Sequence, residues 1–193
     1  MARTKAETYD LKRDSITDKA AILFAEKGFS GASMTDLATI CGVSKSLIYH
    51  YYAAKEDILY EVMKEHIDDL VDVINDTNHI SSDPVEEFTS LTTALVHHYA
   101  GAENAQKVLL YELNNLNPAE RKEIVYKERL IIKRFEGVFV RINPEMKSQT
   151  ALLKSKIMLF FGMLNWMHTW YDPKGEMSRD EIAMLATNTI IGT

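Results

Sequence analysis

Cysteine is nearly absent from this chain of 193 residues: Cys41 stands alone. No intrachain disulfide can form, and a reducing, cytoplasmic setting is expected. Proline (4) and glycine (8) are scarce, which leaves little room for the turn-rich hairpins of an all-β protein. Strand-like alternation of polar and apolar residues is hard to find. A long hydrophobic run is missing as well. The N-terminus, MARTKAETYDLKRDS, has no apolar run after its charges, so no secretory signal is expected. The most apolar segment, IMLFFGMLNWMHTWY (157–171), is interrupted by Asn165 and His168 and falls short of a membrane span.

Acidic side chains are missing from one aromatic-rich stretch near the N-terminus. The chain as a whole carries a net charge of −6, yet residues 43–55, VSKSLIYHYYAAK, contain no carboxylate. Residues 1–55 hold eight Lys and Arg against six Asp and Glu, a net of +2, and the remainder holds −8. A basic front on an acidic body suggests that the front alone meets a polyanion.

What is present is helical spacing. Ile16, Ala20, Leu23 and Phe24 recur at i, i+4, i+7 and i+8, and Gly28 follows as a stop. Thr35 is the expected N-cap of a short helix ending at Gly42, and Ser44 starts another that runs to about Tyr52. A long helix is expected over 55–74. The SSDP break at 81–84 offers Asp83 as cap and Pro84 as first helical residue. Further helices are expected at 84–100, 103–115, 118–141, 145–171 and 178–190, separated by the NP pairs at 117–118 and 143–144 and DPKG at 172–175. The spacing therefore predicts an all-α chain of about nine helices.

Residues 34–53, MTDLATICGVSKSLIYHYYA, carry the requirements of a helix-turn-helix. Ala38 is the small residue where two helices cross. Gly42 supplies the left-handed turn, and Val43 and Ile48 lock the second helix over Leu37 and Cys41. Cys41 is thus expected to be a small buried hydrophobe. The second helix would expose Lys45, Ser46, Tyr49, His50 and Tyr52, with Tyr51 on the core side. Recognition helices enter the major groove by their N-terminal ends. Ser44 at that end can offer hydroxyl and amides to a phosphate, and Lys45 can reach a phosphate or a guanine edge. Tyr49 and His50 can donate to phosphates or touch thymine methyls. Lys55 is expected where a backbone phosphate passes, and Thr35 opens the first helix of the motif. A carboxylate within 43–55 would repel the duplex.

Residues 16–59, ITDKAAILFAEKGFSGASMTDLATICGVSKSLIYHYYAAKEDIL, resemble the DNA-binding domain of the TetR family of transcriptional repressors. The shared features are FAEKGF at a helix end, GVSK, the aromatic YHYY and KEDIL. Leu47 stands where the family often has threonine, which removes one common phosphate contact, and Tyr52 stands where phenylalanine is usual. The resemblance implies a DNA-binding domain over 1–54 and a ligand-binding and dimerisation domain over 55–193. It also implies a homodimer on a double-stranded, palindromic operator and a small-molecule effector.

Helix 145–171 is apolar nearly all round, which fits burial both within the subunit and against a partner copy. Phe88, Leu91, Leu95, Tyr99, Leu110, Tyr111, Asn114, Phe160, Met163 and Trp166 are candidate pocket walls. Arg121, Lys122, Arg129, Lys133, Arg134 and Arg141 lie on one helix. They form either a solvated face partnered by Glu123, Glu128 and Glu136, or a landing site for ligand phosphates. Residues 109–139 and 158–183 bear a looser similarity to the TetR-type regulators of phenylacetate and fatty-acid or branched-acyl degradation, which respond to acyl-coenzyme A thioesters. That similarity implies a pocket mouth formed by Tyr111, Asn114 and Asn115 with Arg129 and Lys133. A hydrophobic drug or fatty acid is the alternative effector. An acyl-thioester enzyme on a helical bundle would need a repeated Glu-x-x-His, a nucleophile elbow or a Gly-rich phosphate loop, and the sequence has none. No catalytic residue, metal or cofactor is expected, and no membrane partner.

Overall fold

The structure, a computed structural model, describes residues 2–77 and 82–192. Among these residues there are nine α-helices and no strand: α1 (Ala2–Gly31), α2 (Met34–Cys41), α3 (Lys45–Tyr51), α4 (Lys55–Asp76), α5 (Pro84–Gly101), α6 (Glu103–Glu112), α7 (Pro118–Ile142), α8 (Thr150–Trp166) and α9 (Arg179–Ile191). Ser81 of the SSDP break lies outside the described residues. Asp83 and Pro84 take the expected roles: α5 begins at Pro84, and the Val85 N–H donates to Asp83 Oδ1 at 2.9 Å.

By packing, the chain forms two compact units, Met1–Ile67 with Ala102–Ile124, and Asp68–Gly101 with Val125–Thr193. In the first, α1 packs on α2 and α6. Ile16, Ala20, Leu23 and Phe24 are buried, as their spacing requires. Gly28 breaks α1 at φ 71°, ψ 157°, a conformation open in practice to glycine alone. In the second unit α5 packs on α9. Its core is an aromatic cluster in which Phe88 lies 5.1–6.1 Å, ring centre to ring centre, from Phe135, Phe139 and Phe160.

Three element boundaries differ from expectation. The cap of α2 is Ser33, not Thr35. Ser33 Oγ accepts from the Asp36 N–H at 3.1 Å, and the Asp36 carboxylate accepts from the Ser33 N–H at 3.0 Å. Thr35 lies inside the helix and is exposed. Helix α6 stops at Glu112 and tightens into a 3-10 turn, Leu113–Asn115. Helix α8 is shorter than 145–171: a 3-10 turn, Pro144–Ser148, precedes it and another, Met167–Thr169, follows. At its end His168 Nδ1 lies 2.7 Å from the Asn165 carbonyl, and the Thr169 hydroxyl donates to the Trp166 carbonyl at 2.8 Å. Side chains there engage the carbonyls that a continuing helix would use.

Candidate functional site

The helix-turn-helix closes as its residue types demand. Gly42 ends α2 in the left-handed region at φ 67°, ψ 32°, and the Val43 N–H donates to the Ala38 carbonyl at 3.0 Å. Ser44 then caps α3, its hydroxyl accepting from the Leu47 N–H at 3.2 Å. Helix α3 buries Ile48 and exposes Lys45, Ser46, Tyr49 and His50. The Lys45 ammonium lies 5.8 Å from the Tyr49 ring centre. No carboxylate occurs between Val43 and Lys55, so this face offers donors and aromatic edges only. Cys41 is half-buried, and burial pushes its thiol up in pKa, which leaves it a poor nucleophile.

Tyr52 departs from the exposed place expected of it. It is buried: its hydroxyl lies 3.0 Å from Thr17 Oγ1 and accepts from Arg13 Nε at 3.2 Å. Arg13 also pairs with Glu61 of α4 at 2.7 Å. The hydroxyl that distinguishes Tyr52 from phenylalanine is thus the hub of a network joining α1 to the end of α3. Tyr51 is half-buried against Tyr9 of α1, with ring centres 4.6 Å apart. Sequence reasoning missed Tyr9, Arg13 and Thr17, none of which lies in the motif.

Lys55 is also placed differently. Its ammonium donates to the carbonyls of Phe29 at 2.6 Å and Ala32 at 2.8 Å, and lies 4.1 Å from the Phe29 ring centre. It caps the end of α1, with one donor left for another partner.

The candidate ligand residues fall into separate groups. Phe88, Leu91, Leu95 and Phe160 have no exposed surface and pack as core. Tyr99 is half-buried on α5. Met163 and Trp166 line an apolar groove of about 560 Å³ between α8 and α9, with Met158, Leu159, Trp170 and Leu185. Tyr111, Asn114 and Asn115 are exposed members of the first unit, whereas Arg129 and Lys133 are exposed on α7 in the second. The basic helix divides: Arg134 and Arg141 both engage the buried carboxylate of Glu87, Arg141 at 2.6 Å. Of the expected glutamate partners, Glu123 instead accepts from the Tyr60 hydroxyl at 2.8 Å.

An acid-free recognition helix on a capped helix-turn-helix, followed by a wholly helical body, defines a DNA-binding regulator. Comparison with known proteins agrees. Residues 16–62 match the family described as "Bacterial regulatory proteins, tetR family", and residues 81–193 match "Tetracyclin repressor-like, C-terminal domain". The chain belongs to the TetR family of transcriptional regulators, which are not enzymes. It is 32% identical to a TetR-family transcriptional regulator from Bordetella parapertussis, with a TM-score of 0.89 and 92% of this chain and 93% of that one covered. It is 22% identical to the HTH-type transcriptional repressor KstR2 of Mycolicibacterium smegmatis over 94% of this chain and 89% of that protein. It shares the fold of AibR, crystallised with isovaleryl coenzyme A and operator DNA, at 23% identity and a TM-score of 0.78, covering 92% of this chain and 97% of that one. No helix among the described residues is long and apolar enough to cross a membrane.

Proposed function

We propose that the protein is a homodimeric repressor of catabolic genes, released from a palindromic operator by an acyl-coenzyme A thioester, with a phenylacetyl-like acyl group. The acid-free exposed face of α3 carries the DNA-binding part of this reading. Residues 1–54 would hold the DNA, with Lys45, Ser46, Tyr49 and His50 in the major groove, Ser44 at its phosphate edge and Lys55 bracing the motif from behind. Residues 55–193 would serve ligand and dimer. One helix-turn-helix reads few base pairs, and two of them about one DNA turn apart read a palindrome. The apolar groove on α8 and α9 supports a second copy as its cover.

The effector class is supported by two observations. Arg129 and Lys133 stand exposed on α7, one helical turn apart, suited to a polyanionic ligand. AibR, of the same fold, binds an acyl-coenzyme A. Release by ligand requires that the ligand prefer the non-binding conformation: moving the population from 1:99 to 99:1 takes roughly 5.5 kcal/mol of preference. Helix α4, which begins four residues after the last residue of α3 and continues to Asp76, is the element through which such a preference would reach α3.

Thermal denaturation against acyl-coenzyme A thioesters and their free acids tests the effector. A thioester at 100 times its dissociation constant should add about 2.7 kcal/mol of stability while its free acid adds nothing. Stabilisation by an apolar compound alone would leave a TetR-family regulator with a different effector, a hydrophobic drug or a fatty acid.

A further inference from the structure

We propose that Glu112 is a positioning residue that ties the end of α6 to the break in α1 and so to the base of the recognition helix, and that Asn115 holds its carboxylate in place. The inference rests on reading the protein as an effector-responsive DNA-binding regulator, and all of its residues lie in the first compact unit.

One backbone group of α1 is stranded by the break. The conformation of Gly28 takes the Phe29 N–H out of the regular helix ladder of α1. A part-buried N–H needs an acceptor. It finds Glu112 Oε1, 3.1 Å away and 83 residues along the chain. The same oxygen is 3.4 Å from where a Cβ on residue 28 would stand, so the carboxylate closes over bare backbone. The bond is charge-assisted, hence stronger than an ordinary backbone pair.

Both ends of this contact lead onward. The other carboxylate oxygen, Glu112 Oε2, accepts from Asn115 Nδ2 at 2.6 Å. Asn115 sits exposed in the 3-10 turn after α6, where a solute can reach it. On the far side, the Phe29 carbonyl accepts from Lys55, the first residue of α4. Lys55 lies four residues beyond the last residue of the recognition helix α3. One residue of α1, Phe29, is therefore held from α6 through its N–H and from α4 through its carbonyl. The route runs Asn115, Glu112, Phe29, Lys55. Loss of the Asn115 amide frees Glu112 Oε2, lets the carboxylate turn, and loosens the Phe29 N–H. The base of α3 then loses a fixed support.

A DNA duplex selected by the wild-type protein from a random pool, with no effector present, provides the probe. Asn115→Ala is expected to shift the Phe29 amide resonance and weaken DNA binding about threefold, leaving Tm unchanged because the residue is exposed. Glu112→Leu is expected to speed exchange of the Phe29 amide by about tenfold or more and to weaken DNA binding about tenfold. Glu112→Gln, which keeps the acceptor, should restore most of both. If folded Glu112→Leu and Asn115→Ala bind DNA as the wild type does, whatever their Tm, the contact is packing alone and the relay is overturned. No acyl thioester enters this test. Failure of the effector panel and failure of the relay are therefore separate results.

Discussion

Two surfaces of this chain stand uncovered, and they differ in kind. Helix α3 presents Lys45, Ser46, Tyr49 and His50, side chains that water satisfies well. The groove on α8 and α9 presents Leu159 at 71% exposure and Trp166 at 60%, side chains that water does not. Apolar surface left in water costs about 25 cal/mol per Å². The α8–α9 surface therefore calls for a permanent cover, whereas the α3 surface can wait for a polyanion and release it. A repressor needs both: a lasting dimer, and a DNA contact weak enough to be undone.

The largest effect should come from breaking the apolar surface. Leu159→Arg with Trp166→Glu is expected to turn a dimer into a monomer in sedimentation analysis. Palindromic DNA affinity should fall on the order of 100-fold or more, because the second helix-turn-helix no longer binds as part of the same molecule. A variant that stays dimeric would place the interface elsewhere.

Next comes the polar surface. Lys45→Ala with Tyr49→Ala is expected to weaken DNA binding by about tenfold to 100-fold, with the dimer intact and stability within about 0.5 kcal/mol. Gel-shift titration beside a thermal melt checks both halves. Unchanged affinity would show that α3 is not the reading helix.

The smallest effect concerns neither surface and serves as their control. Glu65 of α4 is half-buried, and burial, then Glu61, Asp14 and Asp18, push its carboxyl up to about 7, against a smaller opposing pull from Arg13. Its pKa is thus higher folded than unfolded. Ionisation opposes folding: the penalty is absent below the ordinary value of 4.5 and complete above about 7. Glu65→Gln should stabilise the protein at pH 8 by about 1 kcal/mol, after allowance for solvent screening of a half-exposed group. At pH 4 it should do nothing. Equal Tm values at pH 8 would refute the linkage.

The sequence-based reading went furthest where local rules decide. The spacing of Ile16, Ala20, Leu23 and Phe24, the turn at Gly42 and the cap at Ser44 depend on neighbours within a few residues. It stopped where folding brings distant groups together. Lys55 looks like a phosphate contact because its acceptors, the carbonyls of Phe29 and Ala32, lie more than 20 residues earlier. Tyr52 departs from expectation for a different reason. Tyr52 is the residue where α3 ends, at φ −135° and ψ 123°, so helical phase no longer aims its side chain. Ser33 and Thr35 are both good caps, and only the reciprocal reach of Asp36 selects Ser33. The pocket candidates Phe88, Leu91, Leu95 and Phe160 share composition with a ligand cavity, and composition alone does not separate a cavity wall from packed core.

In the proposed function α3 holds DNA in part by neutralising phosphates. The salt dependence of DNA binding tests it most directly, for the wild type and for Lys45→Met. A steep fall in log affinity with log salt is expected, about 0.9 per phosphate neutralised, with the slope reduced by about one contact per recognition helix in the variant. A flat dependence, or an identical slope in the variant, would contradict it.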